Sequence, residues 1–112
     1  MSARTDTRLW LAQRISAMVL GACVLVHIVT ILYAMHGGLT AAEILARTHG
    51  SWTVAAFYAV FVAAVAVHAP IGLRAVLAEW LGLRGAATDW ILLLAGVALA
   101  VWGFRAVWAV VA

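Results

Sequence analysis

Three apolar runs, at about residues 9–35, 52–81 and 90–111, constrain this chain more than any other feature. Each is long enough to cross a hydrocarbon core of about 30 Å, which takes roughly 20 residues of helix. A bilayer offers no partner for an open backbone, so runs of this length cross it as helices. Of the 112 residues, 68% are hydrophobic and only 10% charged, leaving too little polar surface for a soluble domain. The expected class is an all-α membrane protein with three transmembrane helices in one domain spanning residues 1–112.

Local signals set the boundaries. Gly37-Gly38 ends the first run, because glycine enters positive φ at little cost. Thr40-Ala41-Ala42-Glu43 fits a capping box and predicts a short interfacial helix up to about Arg47. Ser51 is placed to cap the second span, and Thr88 or Asp89 the third. The first run exceeds a signal-peptide core and has no small-x-small site after it, so it reads as a retained span. Cys23 lies within it, and as the sole cysteine it reads as a small buried residue.

The chain has no lysine, so its positive charge comes from arginine. Arg4, Arg8, Arg14, Arg74 and Arg84 fall at the ends sharing a side with the N-terminus; Arg47 and Arg105 fall on the other. The positive-inside rule then places the N-terminus in the cytoplasm, with Trp10, Trp52, Trp80 and Trp90 as interfacial anchors. Arginines spread this way do not form the basic patch of a nucleic-acid-binding surface.

Ionisable groups at membrane depth cost several kcal/mol on insertion scales and demand partners. On the second span His68, Gly72, Ala75 and Glu79 fall on one stripe, at about 0°, 40°, −20° and 20°. A histidine followed by small residues suits a porphyrin whose iron takes an imidazole nitrogen, and Arg74 is within reach of a propionate. A neutral histidine bonded to a neighbouring helix, with Gly72 allowing close packing, fits the same spacing. Pro70 removes one donor and frees the carbonyl of Ala66, which favours a bend. On the first span His27, Cys23, Leu20 and Ser16 share a face, and His27 alone reads as a packing residue. Arg14, Ser16, Glu79 and Trp80 are expected at one level near the cytoplasmic boundary, where their donors and carboxyl suit a quinone head group; snorkelling of arginine to lipid phosphate explains Arg14 equally. A small oligomeric transporter using Glu79 is the alternative from another class.

With these residues in hand, the chain resembles the membrane-anchor (cytochrome b) subunits of succinate dehydrogenase and fumarate reductase, respiratory complex II. Arg14-Ile15-Ser16 is similar to their H-R-x-[ST]-G signature, and His68 to Arg74 followed by Glu79-Trp80 is similar to H-x-x-x-G-[ILM]-R…[DE]-aromatic. Gln13 stands where the first signature has histidine, Ala17 where it has glycine, and Glu79-Trp80 where one anchor type has Asp-Tyr. The loop after Leu39 and the His68–Gly72 stretch lean to the second, smaller anchor type.

The resemblance implies that His68 is an axial ligand of haem b. His27, thirteen residues after Arg14, takes the spacing of a second haem ligand found in some members. It implies further that Arg14 and Ser16 line a pocket for ubiquinone or menaquinone, completed by the acidic-aromatic pair. The implied partners are an iron–sulfur subunit, a flavoprotein subunit and a second anchor or a second copy, in the cell inner (cytoplasmic) membrane. A haem-less anchor that only tethers those subunits is the variant reading within the family.

Overall fold

A computed structural model describes residues 2–112, and among them the backbone is helical with short connections. The elements are α1 (Ala3–Gly37), α2 (Ala41–Thr48), α3 (Trp52–Leu81) and α4 (Ala86–Val111). The three long helices match the three expected spans, and α2 is the expected interfacial helix. α3 is the middle helix, packed by α1 on one side and α4 on the other, while α2 rests on α4. The bundle measures 49 × 24 × 22 Å, long enough to cross a bilayer with its polar margins.

Two boundaries differ from expectation, for separable reasons. α1 begins at Ala3, six residues before its apolar run, because the Ser2 hydroxyl accepts the Thr5 amide at 3.2 Å and Asp6 sits in the first turn. A helix need not stop where the membrane does. α4 begins at Ala86, so neither Thr88 nor Asp89 caps it. Gly85, at φ 122°, turns the chain into the helix without a side-chain cap. The Asp89 carboxylate is engaged elsewhere, by Arg74.

The other terminators behave as the residues dictate. Gly38 takes φ 100° after α1, Ser51 accepts the Val54 amide at 3.2 Å, and Gly82 ends α3 in the left-handed region. The Leu83 amide then closes on the Leu77 carbonyl at 3.1 Å. At the far end of the bundle α2 is tied down by side chains. Arg47 donates to the Gly38 carbonyl at 2.7 Å, and Thr48 donates to the Val110 carbonyl at 2.6 Å. The Gly50 amide takes the Val111 carbonyl at 2.7 Å. Two of the carbonyls that α4 leaves open at its end are thereby satisfied.

The capping box of α2 is complete: the Thr40 amide donates to Glu43 Oε2 at 2.8 Å and the Glu43 amide to Thr40 Oγ1 at 3.2 Å. These Thr40 bonds, backbone first, hold the Glu43 carboxyl below its ordinary value of 4.5. A carboxyl lowered on folding stabilises the folded form above its unfolded value and ceases to do so as pH falls through its folded one. Hydrogen-exchange protection of α2, corrected for intrinsic rates, should therefore be flat above pH 4.5 and fall only below it. Glu43→Gln should remove that pH dependence.

Very little of the molecule is buried against itself. Cys23, Ala64, Leu92, Ser16 and Gly96 are the buried side-chain positions among the described residues. Small residues dominate because helices in lipid associate through close packing and not through hydrophobic exclusion. Gly96 shows how close. A Cβ there would stand 2.9 Å from the Pro70 ring and 3.1 Å from the Ala66 carbonyl oxygen. Pro70 has no N–H to give Ala66, so that carbonyl lacks its helical donor, and the bare face of Gly96 covers it. α3 continues as helix through Pro70. The proline thus acquires a role in seating α4. Gly103 repeats the device higher up, against Val62.

Candidate haem-ligand and quinone site

Three contacts fix α1 against α3. A Cβ on Gly72 would lie 2.9 Å from the Gln13 side-chain nitrogen, Ser16 Oγ is 3.4 Å from His68 Nδ1, and His27 Nδ1 is 2.9 Å from the Tyr58 hydroxyl. In each pair the residue numbers sum to about 85, as an antiparallel register requires. This register positions every candidate residue in depth.

His68 is half-buried beside the buried Ser16. The Ser16 hydroxyl donates to the Gln13 carbonyl at 3.0 Å, so its oxygen is left to accept from His68 Nδ1–H. At 3.4 Å this second bond is long, and it orients the ring more than it stabilises it. With the proton on Nδ1, the Nε2 lone pair is the one available to a metal. The donor set therefore suits a haem iron: an imidazole oriented by a neighbouring hydroxyl through Nδ1, with Nε2 left for a metal, in an apolar helix pair. No second histidine lies at this depth among the described residues.

Gly72 does not present an open slot. Gln13 covers it, and the Gln13 Oε1 is buried without a hydrogen-bond partner among the described residues. Ala75 is exposed. Gln13 matters here because it carries the family-variant position directly into the contact with α3, one turn from His68.

Arg74 is occupied on α4. Its Nε donates to Asp89 Oδ1 at 2.8 Å, with both groups partly exposed. No motif marks Asp89 as a partner, though two opposite charges flanking a short loop are a signal that was legible.

Arg14 is exposed one residue from the Gln13–Gly72 contact. Glu79 and Trp80 are exposed in the last turns of α3, where the register sets them beside Asp6 and not beside Arg14. Eight residues of helix separate the two levels, about 12 Å. The single level expected for Arg14, Ser16, Glu79 and Trp80 is thus two levels. The reason is that α1 projects beyond the apolar boundary from which depth was counted.

His27 lies about 16 Å of helix rise further along the bundle than His68. Beyond the Tyr58 bond, it meets the Tyr58 and Phe61 rings edge-on at 5.6 Å. With Trp102 and Gly103 of α4 these residues line a recess of about 360 Å³ on one face of the bundle. Tyr58 carries no motif, but a phenol within a span needs a partner, as His27 does.

The model of the succinate dehydrogenase/fumarate reductase transmembrane subunit family matches residues 1–107. No curated protein and no solved structure gives a significant match. A match over nearly the whole chain, three membrane-crossing helices and the two signatures on α1 and α3 converge on one conclusion. The chain belongs to the succinate dehydrogenase/fumarate reductase transmembrane subunit family.

Proposed function

We propose that this multi-pass membrane protein is a haem b- and quinone-binding anchor in the cell inner membrane. It would dock an iron–sulfur subunit and a flavoprotein subunit and would pair with a second anchor or a second copy of itself. The observation that carries the haem reading is the Ser16–His68 pair, which leaves Nε2 as the free ligand nitrogen. Haem b bound there supplies a one-electron carrier buried between helices. His27, held by Tyr58, is the position for a second haem. The near absence of an internal core supports a partner helix bundle, since a haem needs walls on both faces that one chain does not offer.

For the quinone, Arg14 supplies N–H donors to a carbonyl oxygen, and Ser16, two residues on, is buried on another face of α1 with its hydroxyl committed to Gln13. Glu79, exposed at the boundary, takes protons from water and hands them inward, while the Trp80 indole N–H offers a donor at the entrance. The two-level arrangement suits this division, with binding above and proton entry below.

Two measurements test the reading. The dithionite-reduced complex should show a b-type α-band; a complex without that band would leave only a tethering anchor. Arg14→Ala should lower quinone reduction by roughly ten-fold or more, the loss of one charged hydrogen bond of about 1.5–3 kcal/mol, while activity with an artificial acceptor is retained. Equal loss of both activities would mean misassembly and would remove Arg14 from the quinone pocket.

A further inference from the structure

At the N-terminal end of the bundle, α1, α3 and the α3–α4 loop line a cavity of about 460 Å³, which shares only Arg74 with the residues expected at the haem or quinone. Its walls carry Asp6, Arg74, Arg84 and Asp89, two charges of each sign. Arg74 and Asp89 bond to each other at 2.8 Å and neutralise one another. That leaves one carboxylate and one guanidinium on the same cavity. Asp6 has no side-chain partner among the described residues, and Arg84 makes only a 3.4 Å contact to the Ala78 carbonyl. Gly85 and Ala86 bring the uncapped start of α4 to the same wall.

A second recess, of about 300 Å³, adjoins the first and shares Arg74 and Asp89 with it. Its remaining lining is mainly apolar, with Leu9, Pro70, Ile71, Leu92 and Leu93. These residues lie deeper than Asp6 and Arg84 on their helices, so the pair of recesses runs from a charged mouth at the membrane boundary to an apolar groove within it. This is the shape of an amphiphile: a polar head, then a chain.

The charges select the head. A quinone ring is neutral and presents carbonyl acceptors, which Arg84 suits but Asp6 opposes. A singly anionic phospholipid satisfies Arg84 and leaves Asp6 facing a phosphate. A zwitterionic head satisfies both, with its phosphate on Arg84 and its ammonium on Asp6. We propose that this cavity and groove bind a zwitterionic phospholipid bearing a primary ammonium, a phosphatidylethanolamine, with one acyl chain along Leu9, Ile71 and Leu92.

Native mass spectrometry of the purified complex reads this directly, with lipid adducts measured on this chain after its release. Phosphatidylethanolamine should be retained at least ten-fold more strongly than phosphatidylglycerol. Asp6→Asn should erase that preference while leaving phosphatidylglycerol bound. Arg84→Gln should weaken both lipids by about ten-fold, as expected for a lost charge-assisted contact. Both side chains are exposed, so neither variant disturbs packing. Equal retention of the two lipids by the wild type would overturn the proposal, as would an Asp6→Asn chain that keeps the preference. Displacement of the lipid by inorganic phosphate would make this a free-anion site, and displacement by a short-chain quinone would make it a quinone site. Either result also refutes the assignment.

Discussion

Gly96→Val should prevent stable seating of α4 on α3 and cost more stability than substitution of Gly103 or Gly21. The first added carbon falls 2.9 Å from the Pro70 ring and 3.1 Å from the Ala66 carbonyl oxygen. Neither neighbour can swing aside: one is a ring closed on its own backbone, the other is backbone. Overpacking of this kind costs about 1–3 kcal/mol where side chains can adjust, and here the helices must separate instead. Separation also uncovers the Ala66 carbonyl, which has no donor of its own within α3. Gly103→Ala meets the Val62 side chain, which has rotamers to use, so its cost should be smaller. Gly21 has open space around it, and Gly21→Ala should be neutral or stabilising by up to about 1 kcal/mol. Thermal unfolding of the purified protein in detergent should rank the three in that order. Equal midpoints for Gly96→Val and Gly21→Ala would show that α4 does not sit where its glycines indicate.

His68→Ala is expected to eliminate the haem bound through this residue while leaving the bundle assembled. The two effects separate because of how Ser16 is bonded. Its hydroxyl keeps the Gln13 carbonyl at 3.0 Å after the imidazole is gone, so no buried donor is orphaned. His27→Ala should behave differently. The Tyr58 hydroxyl loses the bond at 2.9 Å that partners it, and an unsatisfied group of that kind costs about 1–3 kcal/mol. In the haem-free protein His27→Ala should therefore lower thermal stability more than His68→Ala, whereas the spectrum of the loaded complex should depend first on His68. Ser16→Ala should keep the haem, because the hydroxyl orients the ring across a long bond and does not ligate.

The architecture was largely legible because its signals are local. Run length specifies the three spans, Gly37-Gly38 and Ser51 mark ends, and Thr40 with Glu43 announces α2. Run length is read along one continuous segment, and each end signal depends on residues within one turn of each other. Where helix ends and membrane ends diverge, the same signals mislead. Leu9 begins the apolar run, yet Ser2 caps a helix that begins at Ala3, and depth counted from the apolar edge misplaces Glu79 relative to Arg14.

The site was legible as residues and not as contacts. The spacing on α3 singled out His68, Gly72, Arg74 and Glu79, and the signature on α1 singled out Arg14 and Ser16. Their neighbours depend on the register between α1 and α3, and no single helix carries that information. The glycines mark that register and its counterpart on α4: Gly72 meets the Gln13 side chain of α1, and Gly96 of α4 meets Pro70 and the Ala66 carbonyl. For this reason Gly72 faces a glutamine, Ser16 serves His68, and Arg74 finds Asp89. A helical wheel shows which residues share a face, but not what that face meets.

The central claim is that His68 gives its Nε2 to a haem iron, and chemical rescue tests it most directly. His68→Gly removes the ring and leaves a gap beside Ser16 that free imidazole can enter. The complex carrying His68→Gly should lose the share of the reduced b-type α-band that the haem at His68 contributes, and should regain that share when haem and imidazole are supplied together. An α-band at full strength in His68→Gly without added imidazole would contradict the claim outright.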